Sequence, residues 1–144
     1  MTESDYAAFQ NAMIEDMRAH RGQVTTGPLA GEPLLVMIST GAKTGSPRRA
    51  ILNFSRDGVD YVVAGSAGGS PTAPSWLANV RANPDVAVEA EGRTFKARAS
   101  VAEPAERDRL WERHVATLPK FAAYPEQTGR IIPMVRLTPI AENG

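Results

Sequence analysis

The chain has no cysteine at any of its 144 positions. That excludes disulfides, thiolate-bound zinc, iron–sulfur clusters and thiol nucleophiles together. It has 2 histidines, and neither His20 nor His114 has a second histidine or an acidic residue at metal-ligand spacing, so no metal site is expected. Net charge is also missing: Lys plus Arg and Asp plus Glu count 16 each. A general field drawing the chain to nucleic acid or an anionic membrane is therefore not expected. No apolar run approaches the roughly 20 residues that span a bilayer. The start, MTESDYAAFQ, is acidic and amphipathic rather than basic and then apolar. The expectation is a cytoplasmic protein with no nucleic-acid partner and no stable membrane insertion, whose electrostatic recognition comes from local clustering.

What is present reads as one domain with a leading helix. Tyr6, Phe9, Met13 and Met17 recur at spacings of three and four, which predicts a helix over about residues 4–20 with those side chains on one face, docked on the main domain through that stripe or left as a loosely attached arm. Thr2 with Asp5 supplies its start signal and Gly22 its stop. The Gly- and Pro-rich stretch GQVTTGPLAGEP follows, so residues 1–25 are expected to be a helix or arm and residues 26–144 the main domain. LLVMIS (34–39) is a continuous apolar run, predicting a strand buried on both faces. RAILNFSR (49–56) alternates, with Ala50, Leu52 and Phe54 on one side. DYVVAG (60–65), DVAVEA (85–90), RTFKARASV (93–101) and IIPMVRL (131–137) complete six strands joined by hairpin turns. Ser75 is the expected cap of a short helix from Trp76. Pro104 opens another helix, whose buried stripe is Leu110, Trp111, His114, Val115 and Leu118, with Glu103, Glu106, Asp108 and Glu112 on a solvated face. Six short antiparallel strands have an edge problem that closure removes. The fold class expected is α+β, a six-stranded antiparallel barrel with flanking helices; an open sheet with helices on one face is the alternative.

Residues 33–56 contain no acidic residue, yet hold Lys43, Arg48, Arg49 and Arg56. Lys43 and Arg48 flank Gly45 and Pro47 in a tight turn, so cationic side chains and free backbone amides can converge there as a site for phosphate. A solvated hairpin with scattered charge is the competing interpretation. GSAGG (65–69) is a second place where backbone can approach an anion, although it matches neither a Walker loop nor a dinucleotide fingerprint. No Ser/His/Asp arrangement has a supporting motif, so hydrolase chemistry is not indicated.

At TGAKTGSPRR (40–49), then GSAGG and PSWLANVRANP, and later RIIPMVRLTP, the chain resembles the deazaflavin (coenzyme F-420)-dependent nitroreductase and quinone reductase family. The resemblance runs from roughly residue 28 to 139, and its specificity lies in the combination of motifs in this order. It implies a split β-barrel and a reduced deazaflavin as hydride donor, acting on a small electron-poor acceptor such as a quinone, a nitroaromatic or an α,β-unsaturated lactone, ketone or ester. It implies that Ala42, Lys43 and Thr44 contact the cofactor, as does the segment Arg48, Arg49, Ala50, Ile51, Leu52, Asn53 and Phe54. Ala64, Gly65, Ser66 and Ala67 join them, with Ser75, Trp76, Leu77, Ala78 and Asn79; Phe121 completes the set. Ser66 and Tyr124 are the candidates for polarising or protonating the acceptor. A homodimer is expected, because split barrels of this type commonly pair through a sheet face.

The chain departs from the resemblance in three places. Ala67 stands where better-known members carry a phosphate-holding lysine, so phosphate binding is expected to weaken unless Arg48, Arg49 or Lys43 compensates. Asn53, Leu118 and Phe121 replace substrate-lining tyrosines, while Tyr124 remains. Residues 1–25 inherit nothing from the family; the glycine-rich break after them suggests a lid over the substrate pocket. Two alternatives stay open on sequence: FMN in place of the deazaflavin, and a non-catalytic module that holds the cofactor or a hydrophobic ligand.

Overall fold

A computed structural model describes residues 3–140; Thr2, half of the expected helix start, lies outside the described residues. Helix α1 (Glu3–Ala19) comes first. It ends as the glycine predicts: Arg21 and Gly22 have φ of 55° and 88°, and the Gly22 amide donates back to the Met17 carbonyl at 2.7 Å, the bond pattern of a left-handed helix terminus. Gly22 is also pressed against the 91–92 turn, where a Cβ would lie 2.8 Å from the Glu91 amide nitrogen.

Seven strands follow: β1 (Leu34–Thr40), β2 (Pro47–Asn53), β3 (Ser55–Asp57), β4 (Asp60–Ala64), β5 (Asp85–Ala90), β6 (Arg93–Val101) and β7 (Met134–Pro139). They form one antiparallel sheet in the order β2-β1-β5-β6-β7-β4-β3. The expected strand 49–56 is two strands. Its first half pairs with β1 and its second with β4, and between them the Phe54 amide turns to the Pro33 carbonyl at 3.1 Å. The two outermost strands of the sheet are thus joined through the single residue Phe54. A sheet whose opposite edges are one residue apart must curl until they meet, which gives the half-barrel.

The curl sets the burial. Leu35 and Met37 point into the barrel with Val63, Val88, Ala97, Val135 and Leu137. Leu34 and Val36, on the opposite face of β1, pack with Ile14, Met17 and Val24, so the continuous apolar run is explained by partners on both sides. The expected α1 stripe needs correction. Met17 is buried and Met13 partly so, but Tyr6 and Phe9 are 55% and 50% exposed, and Ile14 takes the central place. Only the second half of α1 is docked.

Helix α2 (Ser75–Ala82) starts one residue before the expectation, with Pro74 rather than Ser75 at the cap. It presses Trp76, Leu77 and Val80 into the barrel core. Helix α3 (Pro104–Thr117) lays Leu110 against the outer face of β4, with partly buried Trp111 and Val115. His114 is fully buried. Its Nδ1 lies 2.7 Å from Ser55 Oγ, and burial lowers its pKa to about 4. Glu106 is not merely solvated. It joins Asp57 and Asp60 around Arg109 and Arg136 in an ion network that ties α3 to the β3–β4 hairpin. Hydrogen bonds from Arg109 and Arg136 hold the Asp57 carboxyl well below the usual carboxylate range and bring Glu106 down to about 2.

Candidate functional site

A cleft of about 960 Å³ opens where β2, the 65–70 loop and the start of α2 face one another. Its cationic end is the turn between β1 and β2. The Gly41 amide donates to the Ser46 carbonyl at 2.8 Å, and the Gly45 amide to the Gly41 carbonyl at 2.9 Å. The Ser46 amide donates to Thr44 Oγ1 at 3.2 Å. The Ala42 amide donates to Asn79 Oδ1 at 3.0 Å, which fastens the turn to α2. Among the described residues, that leaves the amides of Lys43 and Thr44 with no acceptor. Lys43 and Arg48 are exposed, line the cleft and make no ion pair among the described residues. Arg49 is committed elsewhere, its guanidinium donating to Asn11 Oδ1 on α1. Two cations unpaired among the described residues, beside two free amides, are a donor set that can receive an anion.

The 65–70 loop supplies the facing wall. Ser66 is right-handed (φ −84°, ψ −27°), and Ala67, Gly68 and Gly69 follow with φ of 47°, 64° and 86°. A right-handed residue followed by a left-handed one turns successive amides toward one concavity. The amides of Ser66, Ala67 and Gly68 have no acceptor among the described residues. The loop's carbonyls are taken from behind by Arg130, which donates to Ser66 O at 3.1 Å and Ser70 O at 3.3 Å. The φ of 86° at Gly69 favours glycine on backbone grounds, and a Cβ there would also press on the Tyr124 ring at 3.2 Å and displace the Gln127 side-chain amide. Helix α4 (Tyr124–Thr128) therefore sits hard against the loop. The 3-10 turn before it places Phe121 in the cleft wall, with its ring 5.0 Å from Tyr124 and 4.6 Å from His114, edge to face in both pairs.

The expected site residues therefore meet at one place. Ala42, Lys43, Thr44 and the run Arg48 to Asn53 line the cleft, with Ala64, Ser66, Ala67, Ser75, Trp76, Ala78, Asn79, Phe121 and Tyr124. Phe54, Gly65 and Leu77 do not. Phe54 stacks edge-on to Tyr61 at 5.2 Å in the core, the Gly65 amide donates to the Pro133 carbonyl at 2.9 Å, and Leu77 is buried under α2. Leu118 is likewise buried, beneath Phe121. Sequence reasoning missed Tyr6 and Gln10, which reach the cleft from the undocked half of α1 and touch each other at 3.3 Å. Their spacing of four marks a shared face but gives no sign of what that face meets. It also missed Arg130, although RIIPMVRLTP contains it, because its role depends on a loop some 60 residues away. Among the described residues no group of His, Asp and Glu could hold a metal ion, and no helix is long and apolar enough to cross a membrane.

Known proteins share this chain's sequence and fold. An F420H(2)-dependent quinone reductase of Mycobacterium tuberculosis is 38% identical over 109 residues, covering 74% of this chain and 73% of that protein. The solved structure of an F420-H2 dependent reductase superposes with a TM-score of 0.67 at 34% identity, covering 73% of this chain and 93% of that one. A second structure, described as a domain-swapped dimer, superposes with a TM-score of 0.69 at 29% identity over 94% of this chain and 99% of the other. Residues 11–139 match the family described as F420H(2)-dependent quinone reductase. The half-barrel fold is thus shared with a solved F420-H2 dependent reductase, and the chain belongs to the F420H(2)-dependent quinone reductase family.

Proposed function

We propose that this chain binds reduced coenzyme F-420 in the 960 Å³ cleft and directs its hydride to a small electron-poor acceptor: a quinone, a nitroaromatic or an activated alkene. The observation that carries this is the β1–β2 turn, where Lys43, Arg48 and two free amides line the cleft with no ion pair among the described residues. The donor set fits the cofactor's phosphate and acidic tail, and Lys43 and Arg48 take over from the family lysine that Ala67 replaces. When bound, the coenzyme supplies two-electron hydride chemistry.

The protein's own work is orientation, exclusion of water and proton supply. Trp76 and Phe121, 7% and 5% exposed, form an apolar wall that keeps water from the reacting face. Most of the rate gain comes from holding donor and acceptor in register there. The hydroxyl of Ser66 meets no partner among the described residues and lines the cleft, as Tyr124 does. Either can donate a hydrogen bond to the acceptor's oxygen and pass on a proton as charge develops there. Tyr6 and Gln10, on the undocked half of α1, cover the acceptor side as a lid. The expected assembly is a homodimer, supported by the domain-swapped relative, and the expected compartment is the cytoplasm, which suits a chain without cysteine. Anaerobic oxidation of reduced F-420 with menadione tests the reaction. Stoichiometric return of the oxidised coenzyme's absorbance is expected; tight binding with no turnover on a quinone, nitroaromatic or coumarin would leave a cofactor-holding module instead.

A further inference from the structure

Asn53 ends β2 with its side chain in the cleft wall. Its Nδ2 donates to Glu32 Oε1 at 2.9 Å and to the Pro33 carbonyl at 3.4 Å. An amide nitrogen carries two hydrogens, so both are used. The same Glu32 oxygen accepts from Lys120 Nζ at 2.6 Å. Partial burial works against the charged carboxyl, but Lys120 and Asn53 outweigh it and hold the Glu32 pKa below its usual value. Glu32 thus stays an acceptor. Turning the Asn53 amide over would set its oxygen against a carboxylate and a carbonyl, with no proton to share. Oδ1 is therefore directed away from both. No donor among the described residues reaches it, and it is not among the buried polar atoms left without a partner, so its lone pairs are accessible, on a residue that lines the cleft.

We propose that Glu32 and Lys120 are positioning residues that lock Asn53 as a hydrogen-bond acceptor in the cleft wall, selecting a bound molecule that offers a hydroxyl or N–H at that point. This rests on the reductase reading and gives the cleft a polarity: donors at the Lys43–Arg48 end, an acceptor at the Asn53 end. A bare quinone, with carbonyl oxygens only, gains nothing from Oδ1. A hydroxylated acceptor does, and so does a ring N–H or hydroxyl of the cofactor.

Two readouts on the full chain distinguish these sources: the Kd for oxidised F-420 by fluorescence, and the ratio of KM values for 7-methoxycoumarin and 7-hydroxycoumarin. Glu32→Gln can turn its own amide toward Asn53 Oδ1 and release the lock. It is expected to change one readout by about five-fold or more, the worth of one net hydrogen bond. A collapse of the KM ratio places the matching donor on the acceptor; a raised Kd places it on the cofactor. On an Asn53→Ala background the same substitution should change either readout by less than about two-fold, because Glu32 acts through Asn53. Lys120→Met, which keeps the Glu32–Asn53 bond, serves as a second variant and should act in the same direction more weakly. If Glu32→Gln leaves both readouts within two-fold, or its full effect persists without Asn53, the proposal is overturned. Wild-type protein that binds no F-420 would overturn the reductase reading instead.

Discussion

Replacing both Lys43 and Arg48 by alanine removes the two cations of the anion site while leaving the turn's own hydrogen bonds intact. Neither side chain is buried or ion-paired among the described residues, so folding should lose little; exposed charges of this kind are worth under about 1 kcal/mol to stability. Binding is different, because each can make a charge-assisted hydrogen bond to phosphate. A desolvated bond of that kind is worth about 1.5–3 kcal/mol. Solvent reaches both side chains, so the value falls below that range, to about 1 kcal/mol each. The pair then contributes about 2 kcal/mol, or roughly 30-fold in Kd. Fluorescence titration with F-420 at low ionic strength reads this directly, with the thermal midpoint as the folding control. The loss should shrink in high salt, where screening weakens the wild-type contacts as well. A double variant that folds normally and binds F-420 with a wild-type Kd would refute the assignment of the turn as the anion site.

Arg130→Ala should raise the Kd for F-420 by about tenfold, because the 65–70 loop loses the fork that holds its carbonyls away from the cleft; Arg130→Lys should recover only part of it, and a wild-type Kd in Arg130→Ala would show that the loop holds itself. Tyr6→Ala should shift KM for the hydride acceptor more than the Kd for F-420, as steady-state kinetics beside a titration would show; the reverse order would count against α1 as an acceptor-side lid. His114 is neutral in both states above its unfolded value of 6.5, and below that the unfolded chain takes up the proton while the buried ring resists until about 4. Stability should therefore fall as pH drops from 6.5 toward 4, by an amount on the order of 3 kcal/mol, and denaturation of His114→Gln across that window should lack the slope. Asp57 acts in a lower window: its depressed pKa gives stability that is present above about 4 and lost below it. Asp57→Asn should thus lower the thermal midpoint at pH 7, by an amount that shrinks in strong acid.

How much of this could be read from the chain depends on how local each feature is. The cationic turn was legible because Gly41 to Arg48 are contiguous and their spacing alone brings Lys43 and Arg48 together. The two-sided burial of LLVMIS was legible from its lack of alternation. The break at Phe54 was not, because Phe54 keeps the alternation of residues 49–56 intact; what divides the strand is that β1 claims one half and β4 the other. Periodicity put Tyr6 and Phe9 on the buried side of α1 with Met17, but it cannot tell how far the partner surface extends, and Val24, Leu34 and Val36 cover only the second half of the helix. Arg130 and the Glu32–Lys120 pair were invisible for the same reason: each acts on residues about 20 to 90 positions away.

The most direct test is a paired titration of the wild-type chain with oxidised F-420 and with FMN at the same ionic strength. Saturable one-to-one binding of F-420, much tighter than FMN and lost on replacing Lys43 and Arg48, is the predicted result. FMN binding as tightly as F-420, or F-420 failing to saturate the protein, would contradict it.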